Sequence, residues 1–309
     1  MRRLSLLVPV IGALALCLVQ GTPAQAQATR TWVSGVGDDA NPCSRTAPCK
    51  TWAGAISKTA NGGEIDALDP GGFGAVSITK SITLDGGGGQ VASVLVAGTN
   101  GINVIAQPTD YVILRNLRLD GLLGNGSNSA NAGVNGINYT AGAPVVIDNC
   151  DIFGFNNNGI NVALSATGFL QVRNTTLRNN KVNGLAATTS SGFAVVQVYN
   201  SSFVGAAQNQ GGISAGSNGF VTVSESNFQS LAYGAQTQTG GTVNADRSVF
   251  SSTTNALLAA TGTTINASGN VFMQAGTAFG GTGSYVSDGL NRIGGSTAQG
   301  ATPSAMLLK

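Results

Sequence analysis

The feature that most constrains this chain is a short segment that recurs along most of its length. Each copy reads apolar-x-apolar-x-Asn-x-x-apolar, as in VILRNLRL (112–119) and VVIDNCDI (145–152). Later copies replace the Asn but keep the apolar positions, as in VTVSESNF (221–228). The apolar residue that closes each copy recurs at intervals that shorten from 33 to 21 residues: Leu119, Ile152, Leu177, Phe203, Phe228, Phe250, Phe272 and Ile293.

A second apolar marker follows the first with a similar period. It stands after Asn-Gly or Gly-Gly in the earlier copies and after less regular pairs later on. Its members are Ile137, Ile160, Leu185, Ile213, Ala235, Leu257 and Phe279. Short alternating segments and Gly-rich turns at this period predict a parallel β-solenoid. Leucine-rich repeats have a similar period, but they need a Leu-dense consensus that these copies lack.

In a parallel solenoid, equivalent side chains stack about 4.8 Å apart along the axis. Asn tolerates the left-handed backbone conformation of a tight turn, and its amide can bond its copy on the next coil. The pattern therefore predicts two structural columns. The first is an Asn ladder at one turn, made of Asn116, Asn149, Asn174 and Asn200. The second is an inward row of small hydroxyl side chains, made of Thr175, Ser201, Ser226 and Ser248.

The chain divides into a solenoid with a cap at each end. We predict about ten coils over residues 63–295. Segment 29–62 holds an initial strand, a disulfide loop and a short amphipathic helix with Thr51 as its N-cap. That helix would cover the unpaired strand edges of the first coil. Residues 296–309 are predicted to form a C-terminal tail over the other end.

The first 28 residues read as a secretory signal peptide. Arg2 and Arg3 precede an apolar run, and Ala24-Gln25-Ala26 provides a small-residue cleavage site. We therefore expect an exported protein, in the periplasm or outside the cell. Cys43 and Cys49 flank a turn-rich loop, so an oxidising compartment favours a disulfide between them, whereas Cys150 is predicted to be a buried free thiol.

Composition excludes several classes of function. Without Arg2 and Arg3 the chain has 13 basic and 13 acidic residues, which argues against a nucleic-acid partner. No further apolar run reaches the length of a membrane span, so no span is expected after the signal is removed. The chain contains no His, which excludes His-dependent triads and His metal sites.

Two stretches resemble a known family. TWVSGVGDDANPCSRTAPCKTWAGAI (31–56) is similar to the first segment of many secreted bacterial right-handed parallel β-helix proteins, and DPGGFGAVSITKSITLDG (69–86) is similar to their first coils. With the later coils, the resemblance implies an all-β, single-stranded, right-handed parallel β-helix of the pectate-lyase-like superfamily. That superfamily holds lyases, hydrolases, esterases, tailspikes and adhesins, so the function within it stays unassigned.

Candidate catalytic residues lie in the middle coils. The Gly-His-Gly and Arg-x-Lys of polygalacturonase-like hydrolases are absent, so an enzyme here would be a polysaccharide lyase. Asp148 and Asp151 are the best available acid pair, although ion pairs with Arg on neighbouring coils explain them better. A lyase would need cations beside a uronate carboxylate and could use Ca²⁺; otherwise no cofactor is predicted. The candidate catalytic residues are Arg115, Arg118, Asp148, Asp151, Arg173, Arg178 and Lys181.

Three functions stay open from the sequence. The first is binding or processing of extended carbohydrate, a polysaccharide or cell-surface glycan, on the lateral face, with stacking on Tyr139, Tyr199 or Tyr233. The alternative is a non-catalytic structural or adhesive rod. The second alternative is a polyuronate lyase that uses the charged coils, beneath an inserted loop at 121–133 that could overhang them or be disordered. Whether the protein is an enzyme is left open.

Overall fold

The structure is a computed structural model that describes residues 27–89, 91–123, 131–205 and 210–306. In these ranges the chain forms a short helix, α1 (Trp52–Lys58), and three parallel β-sheets of 12, 10 and 10 strands. Sheet A contains β1 (Ala28–Val33), β2 (Thr59–Ala67), β5 (Ile82–Asp85), β8 (Val112–Arg115), β11 (Val145–Asp148), β14 (Gly168–Arg173), β17 (Ala194–Tyr199), β20 (Gly219–Ser224), β23 (Thr242–Asp246), β26 (Thr264–Ser268), β29 (Ser284–Ser287) and β32 (Ser304–Ala305).

The other two sheets follow sheet A in every coil. Sheet B contains β3 (Gly71–Gly72), β6 (Ala92–Leu95), β9 (Leu117–Asp120), β12 (Asp151–Phe153), β15 (Thr176–Arg178), β18 (Ser202–Val204), β21 (Asn227–Gln229), β24 (Val249–Ser251), β27 (Val271–Met273) and β30 (Arg292–Gly294). Sheet C contains β4 (Val76–Ile78), β7 (Ile102–Val104), β10 (Ile137–Tyr139), β13 (Asn158–Leu164), β16 (Asn183–Thr189), β19 (Gly211–Ala215), β22 (Tyr233–Thr237), β25 (Asn255–Ala259), β28 (Thr277–Gly281) and β31 (Ala298–Gly300).

The observed strand register confirms the parallel solenoid that the repeat predicts. In sheet B, Ile152 pairs with Leu119 on one side and with Leu177 on the other. In sheet C the second marker pairs in the same way, from Ile137 through Phe279. Both markers point into one core, because alternate side chains of each strand face inward. Ile293, the last member of the first marker, is the exception: it pairs in register with Phe272 but is exposed. The solenoid makes about nine turns, close to the ten predicted.

The N-terminal cap is built from α1 and the loop before it. The Thr51 hydroxyl accepts a hydrogen bond from the Gly54 N–H, which caps the helix. Trp52 is fully buried and meets Phe73 edge to face, with ring centroids 5.2 Å apart. The predicted disulfide joins Cys43 to Cys49 in the loop before the helix. No helix in the described ranges is long and apolar enough to cross a membrane.

The stack extends past the boundaries predicted for it at both ends. β1 pairs in parallel with β2, so the initial strand is already part of sheet A, and β2 begins at Thr59 rather than 63. In the segment predicted as a tail, β31 and β32 continue sheets C and A. An exposed strand edge can pair with any extended backbone, whatever its side chains. The tail, which is rich in Ala, Ser and Thr, therefore joins the stack without an apolar pattern.

Candidate functional site

The Asn ladder lies at the turn from sheet A to sheet B. Asn116, Asn149, Asn174 and Asn200 all have left-handed backbone, with φ between 45° and 59°. The Asn149 amide donates to the Asn116 carbonyl oxygen at 2.7 Å, and the Asn200 amide donates to that of Asn174 at 2.8 Å. Between these pairs the ladder changes partner, because the Asn174 amide donates to the Asp148 carboxylate at 2.9 Å. Both the conformation and the bonds give this column a structural role.

The row of small hydroxyls forms a buried ladder of side chain to backbone bonds. The N–H groups of Thr175, Ser201 and Ser226 each donate to the hydroxyl one coil further on, and the Ser248 N–H donates to the Asn270 carbonyl oxygen. The ladder starts at Cys150, whose N–H donates to Thr175 at 3.3 Å. Cys150 is a free, buried thiol, and burial raises its pKa to about 12. Because a thiol in that state does not ionise near neutral pH, Cys150 is a core residue and not a nucleophile.

The charged candidates on sheet A are held in ion pairs. Asp148 lies in register between Arg115 and Arg173 on the neighbouring strands. It pairs with Arg173 at 3.0 Å, whereas Arg115 turns the other way and pairs with Asp85 at 2.7 Å. Of the two neighbouring Arg residues, only Arg173 therefore forms the ion pair expected with Asp148, and Arg115 pairs with the carboxylate one coil before it. Asp85 attracts Arg115 because its carboxylate is held in place by the Asn116 amide, at 2.7 Å.

The charged candidates on sheet B are arranged around an aromatic ring. Arg178 donates two hydrogen bonds, of 3.0 and 2.9 Å, to the Asp151 carboxylate. Its guanidinium also lies 3.6 Å from the centre of the Phe153 ring, and the Arg118 guanidinium lies 4.7 Å from it. Arg118 pairs with Asp120 at 3.6 Å rather than with Asp151. Each Arg of the predicted cluster is thus neutralised by a carboxylate of the same chain.

The remaining predicted features are placed as follows. Lys181 is exposed, and its ammonium donates to the Asn156 carbonyl oxygen at 3.1 Å. A surface groove of about 300 Å³ runs beside the cluster, lined by Arg118, Asp151 and the Asn ladder. Most of the predicted loop, residues 124–130, lies outside the described ranges. This arrangement supports an ion-pair network rather than an acid dyad at Asp148 and Asp151.

Sequence reasoning missed a group of three carboxylates near the N-terminal end. Oxygens of Glu64, Asp66 and Asp85 lie within 4.8 Å of one another. Arg30 pairs with both Glu64 and Asp66, and Arg115 reaches Glu64 and Asp85, so two guanidinium groups offset the acidic charge. Burial, and then the nearby Glu64 carboxylate, raise the pKa of Asp66 to about 6. The signal was present in sequence: Glu64 and Asp66 alternate on one strand, and Asp85 follows one coil later.

Sequence reasoning also missed an array of Asn side chains on sheet C, which we name the amide face. Its half-exposed outer column is Asn103, Asn138 and Asn161, in register on β7, β10 and β13. Beside it runs a second, more buried column made of Asn100, Asn135, Asn158 and Asn183. The signal was the fuller motif Asn-Gly-Ile-Asn, which is repeated at 100–103, 135–138 and 158–161. The second apolar marker contains only the Asn-Gly-Ile part of this motif, whereas the final Asn gives the outer column.

Hydrogen bonds connect the amide face along the axis. The Asn161 amide donates to Asn138 at 2.9 Å, and the Asn138 amide donates to Asn103 at 3.2 Å. The buried column continues this network, with the Asn183 amide donating to Asn158 at 3.0 Å. These bonds fix the amide planes and leave each outer amide with spare hydrogen-bonding capacity, because an amide group offers two donors and two lone pairs.

Further coils extend the network with uncharged groups. The Tyr233 hydroxyl donates to the Asn183 carbonyl oxygen, and the Gln236 amide donates to Tyr233 and Ser214 at 2.8 and 3.0 Å. Burial raises the pKa of Tyr233 to about 12, so its hydroxyl is neutral near pH 7. The ten described strands of sheet C contain no charged residue. A ligand on this sheet would meet neutral donors and acceptors only.

The three tyrosines predicted to stack on a ligand have different surroundings. Tyr139 is buried in the core, so that prediction is wrong for this residue. Its position in the strand is an inward one, which the alternation of β10 explains. Tyr233 is half-buried within the network of sheet C, and Tyr199 is exposed on sheet A beside Glu225.

Comparisons with known proteins agree with the architecture. A family model described as a right handed beta helix region matches residues 90–228. The chain has the right-handed parallel β-helix fold. Among solved structures, it is similar to GH136 lacto-N-biosidase from Eubacterium ramulus, with a TM-score of 0.60 and 11% identity over 90% of this chain and 68% of that one. It is also similar to pectate lyase Pel9A, with a TM-score of 0.62 and 14% identity over 90% of this chain and 78% of that chain.

No curated protein sequence matches this β-helix. At these identities the structural likeness shows the fold alone, and this fold carries many unrelated functions. The function has to be argued from the faces of the molecule.

Proposed function

We propose that this protein is an exported β-helix that binds an extended, uncharged carbohydrate along the outer face of sheet C. The observation that carries the proposal is the amide face, a continuous array of neutral hydrogen-bonding groups parallel to the axis. A sugar chain presents hydroxyl groups at regular intervals, and each hydroxyl both donates and accepts, as an amide does. Two solved structures with this fold are described as a lacto-N-biosidase and a pectate lyase, which supports carbohydrate as the ligand class.

The order of the amides supports binding rather than a purely structural role. Asn103, Asn138 and Asn161 are fixed by bonds to one another before any ligand arrives. Because these side chains are already ordered, less rotamer entropy is lost on binding. Glycine precedes the inward residue in each motif, and a Cβ at Gly136 would lie 2.5 Å from the Gly159 carbonyl oxygen. The close approach of the coils at this point keeps the amide columns in register.

The experiment is a binding screen on neutral and acidic glycans, followed by titration calorimetry on each glycan that binds. N138A/N161A removes two outer amides and is expected to weaken binding at least about tenfold, the loss of one or two hydrogen bonds. Asn227→Ala is the matched control, since Asn227 is an exposed Asn on the outer face of sheet B. If the native protein and N138A/N161A bind the glycan with equal affinity, the ligand does not bind on this face.

The alternatives give different results in the same screen. A structural or adhesive rod that does not recognise glycans would bind none of them. The polyuronate lyase stays a prediction: it requires unsaturated product from a polyuronate with added Ca²⁺, and loss of that product in Arg173→Ala or Arg178→Ala. In the structure both Arg side chains are paired with Asp148 and Asp151, which favours the binding function.

Export is part of the proposal and is supported by the Cys43–Cys49 disulfide, because such bonds persist in oxidising compartments. The predicted signal peptide lies almost wholly outside the described residues. Sequencing the N-terminus of the protein recovered from cell fractions tests it. The expected first residue lies between Gln27 and Thr29, in the periplasmic or extracellular fraction.

A further inference from the structure

The outer face of sheet A carries a column of apolar side chains, in which the aromatic members are exposed and the others are half-buried. Phe169, Val195 and Phe220 lie in register on β14, β17 and β20. The same column continues backwards through Pro144 and Tyr111, which immediately precede the paired residues of β11 and β8. The three aromatic side chains are 49%, 52% and 38% exposed, for Tyr111, Phe169 and Phe220 respectively. Exposed aromatic residues aligned in this way mark a binding surface.

Within this column the aromatic positions fall on every second coil. Tyr111, Phe169 and Phe220 alternate with Pro144 and Val195, so neighbouring aromatic residues of the column are two strand spacings apart, about 9.6 Å. Outside the column, the ring of Phe193 packs edge to face on Phe220, with centroids 5.3 Å apart. This distance is close to the length of one disaccharide unit in an extended β-linked polysaccharide. In such a flat chain, successive sugars are turned over relative to each other, so alternate sugars present the same face in the same direction.

A column of polar side chains runs beside the aromatic column on the same face. Gln171, Gln197 and Thr222 lie in register, and Asn244 continues them one coil later. Within the described part of the chain, the amides of Gln171 and Gln197 have no hydrogen-bond partner. A surface groove of about 220 Å³ joins the two columns and is lined by Tyr111, Phe169, Gln171 and Gln197 among others.

We propose that this face of sheet A is a second carbohydrate-binding face, which holds a flat, uncharged, β-linked polysaccharide parallel to the axis with one disaccharide per two coils. The faces of a β-linked pyranose consist of C–H groups, which pack on the negative face of an aromatic ring. The hydroxyl groups at the edges of the sugars would then meet Gln171 and Gln197. The inference deepens the proposed carbohydrate function, since it gives a ligand class and a separate face.

The occupant follows from the two columns together. A second copy of this chain would cover the aromatic side chains equally well, but it would bury the free amides without the regular hydroxyl groups that match them. The aromatic and polar columns from 169 to 222 contain no charged side chain, so an acidic polysaccharide gains nothing here. The spacing of the rings selects a straight chain over the curved helix of an α-linked glucan.

Titration calorimetry with cellohexaose tests the inference, with maltohexaose as the α-linked comparison. Cellohexaose is expected to bind and maltohexaose is not. Phe169→Ala removes the central ring and is expected to weaken binding at least about tenfold. Phe169→Leu keeps apolar volume but lacks the ring, and the same loss is expected. Leu95→Ala is the matched control, because Leu95 is an equally exposed apolar residue on sheet B.

The decisive variant is F169V/V195F, which keeps the composition but moves the central ring by one coil. It is expected to bind cellohexaose as weakly as Phe169→Ala, while circular dichroism and the melting temperature stay those of the native protein. Native affinity in this variant, or equal binding of maltohexaose, would overturn the inference. If N138A/N161A abolishes cellohexaose binding and Phe169→Ala does not, the amide face stands and the second face falls.

Light scattering tests whether a second copy of this chain covers the face instead. If the native protein dimerises, cellohexaose does not bind, and Phe169→Ala restores the monomer, then a second copy covers this face and the inference is wrong.

Discussion

The coils at residues 82–178 and those at 183–287 stack in register by different means. In the N-terminal coils the closing core residues are Leu119, Ile152 and Leu177, and the outer rows carry ion pairs and Asn bonds. In the C-terminal coils these core positions are phenylalanines, and the segment 182–287 contains only three charged residues. The Phe228 ring stacks on Phe203 and Phe250, with centroids 4.8 and 4.6 Å apart.

The difference shows where regularity comes from. Phe203 and Phe228 stack across an interval of 25 residues, and Phe228, Phe250 and Phe272 stack across intervals of 22, because the strands that hold the rings pair in register whatever the length of the coil between them. The earlier coils accommodate intervals from 25 to 33 and bear the loops and polar faces. The proposed binding faces accordingly begin in the N-terminal coils, and the C-terminal coils are a nearly uncharged stack.

The largest effect is expected from the aromatic stack. Phe228→Ala leaves a cavity between two rings and is expected to lower the free energy of unfolding by about 3–5 kcal/mol, against about 0.5–1.5 kcal/mol for Ile152→Val in the N-terminal coils. Urea unfolding followed by circular dichroism measures both. A loss below about 1.5 kcal/mol for Phe228→Ala would show that the rings do not hold the C-terminal coils.

The buried hydroxyl ladder spans both regions and comes next. The Ser226 hydroxyl accepts from the Ser201 N–H and donates to the Ser224 carbonyl. Ser226→Ala leaves the buried Ser201 N–H without a partner and removes one of the two donors to the Ser224 carbonyl, at an expected cost of about 1–3 kcal/mol. Thr222→Ala, at an exposed position of the neighbouring strand, is the control and is expected to change stability by less than about 0.5 kcal/mol. The two values should differ in the same urea titration.

The turn from sheet A to sheet B distinguishes the regions directly. Asn174→Ala replaces an Asn, which tolerates left-handed backbone, with an Ala, which does not. The change is expected to lower the free energy of unfolding by about 1–2 kcal/mol. At the equivalent turn Glu225 already has a φ of 51°. Glu225→Asn is therefore expected to raise stability, by about 0.5–1 kcal/mol. Melting temperatures that move in the same direction for both variants would contradict this account of the turn.

The ion pairs should matter less than the core, and unequally. Arg178 combines a two-bond contact to Asp151 with stacking on Phe153, whereas Arg247 is largely exposed beside Glu225 and Asp246. Arg178→Ala is expected to cost about 1 kcal/mol and Arg247→Ala less than about 0.5 kcal/mol. A double-mutant cycle with Asp151→Ala isolates the pair. A coupling energy of zero would show that the stacking on Phe153 carries the whole effect.

An effect of similar size concerns pH and the acidic group of the first coils. An acid whose pKa is raised in the folded state stabilises the protein below its ordinary pKa and loses that contribution as pH rises through the folded value, about 6 for Asp66. The Asp66→Asn variant has no carboxyl group to ionise and does not lose this contribution. Its free energy of unfolding relative to that of the native protein should therefore rise by about 1 kcal/mol between pH 4 and pH 7. Urea midpoints across this range measure the change, with Asp246→Asn as the control. A difference that does not vary with pH would contradict the raised pKa.

Much of the fold follows from spacing alone. The markers from Leu119 to Phe272 and from Ile137 to Phe279 all lie in the predicted register, because a parallel stack must align residues that share an inward position. The predicted Cys43–Cys49 bond is present for a local reason, since the turn of five residues between them brings the two thiols together. The extent of the stack was harder to predict, because β31 and β32 pair through the backbone without a side-chain pattern.

The sequence by itself determined which residues share a column, since a recurring motif assigns its side chains to a sheet, a face and a coil even where the interval between copies varies. Only the tertiary structure decided which neighbours in a column interact. Arg115 pairs with Asp85 and not with Asp148, and Asn174 donates to Asp148 and not to Asn149. The strand spacing of about 4.8 Å lets a long side chain reach either neighbour, so the choice depends on the other bonds of each partner. The same reason hid the amide face: its pattern was visible in the sequence, but its connections required coordinates.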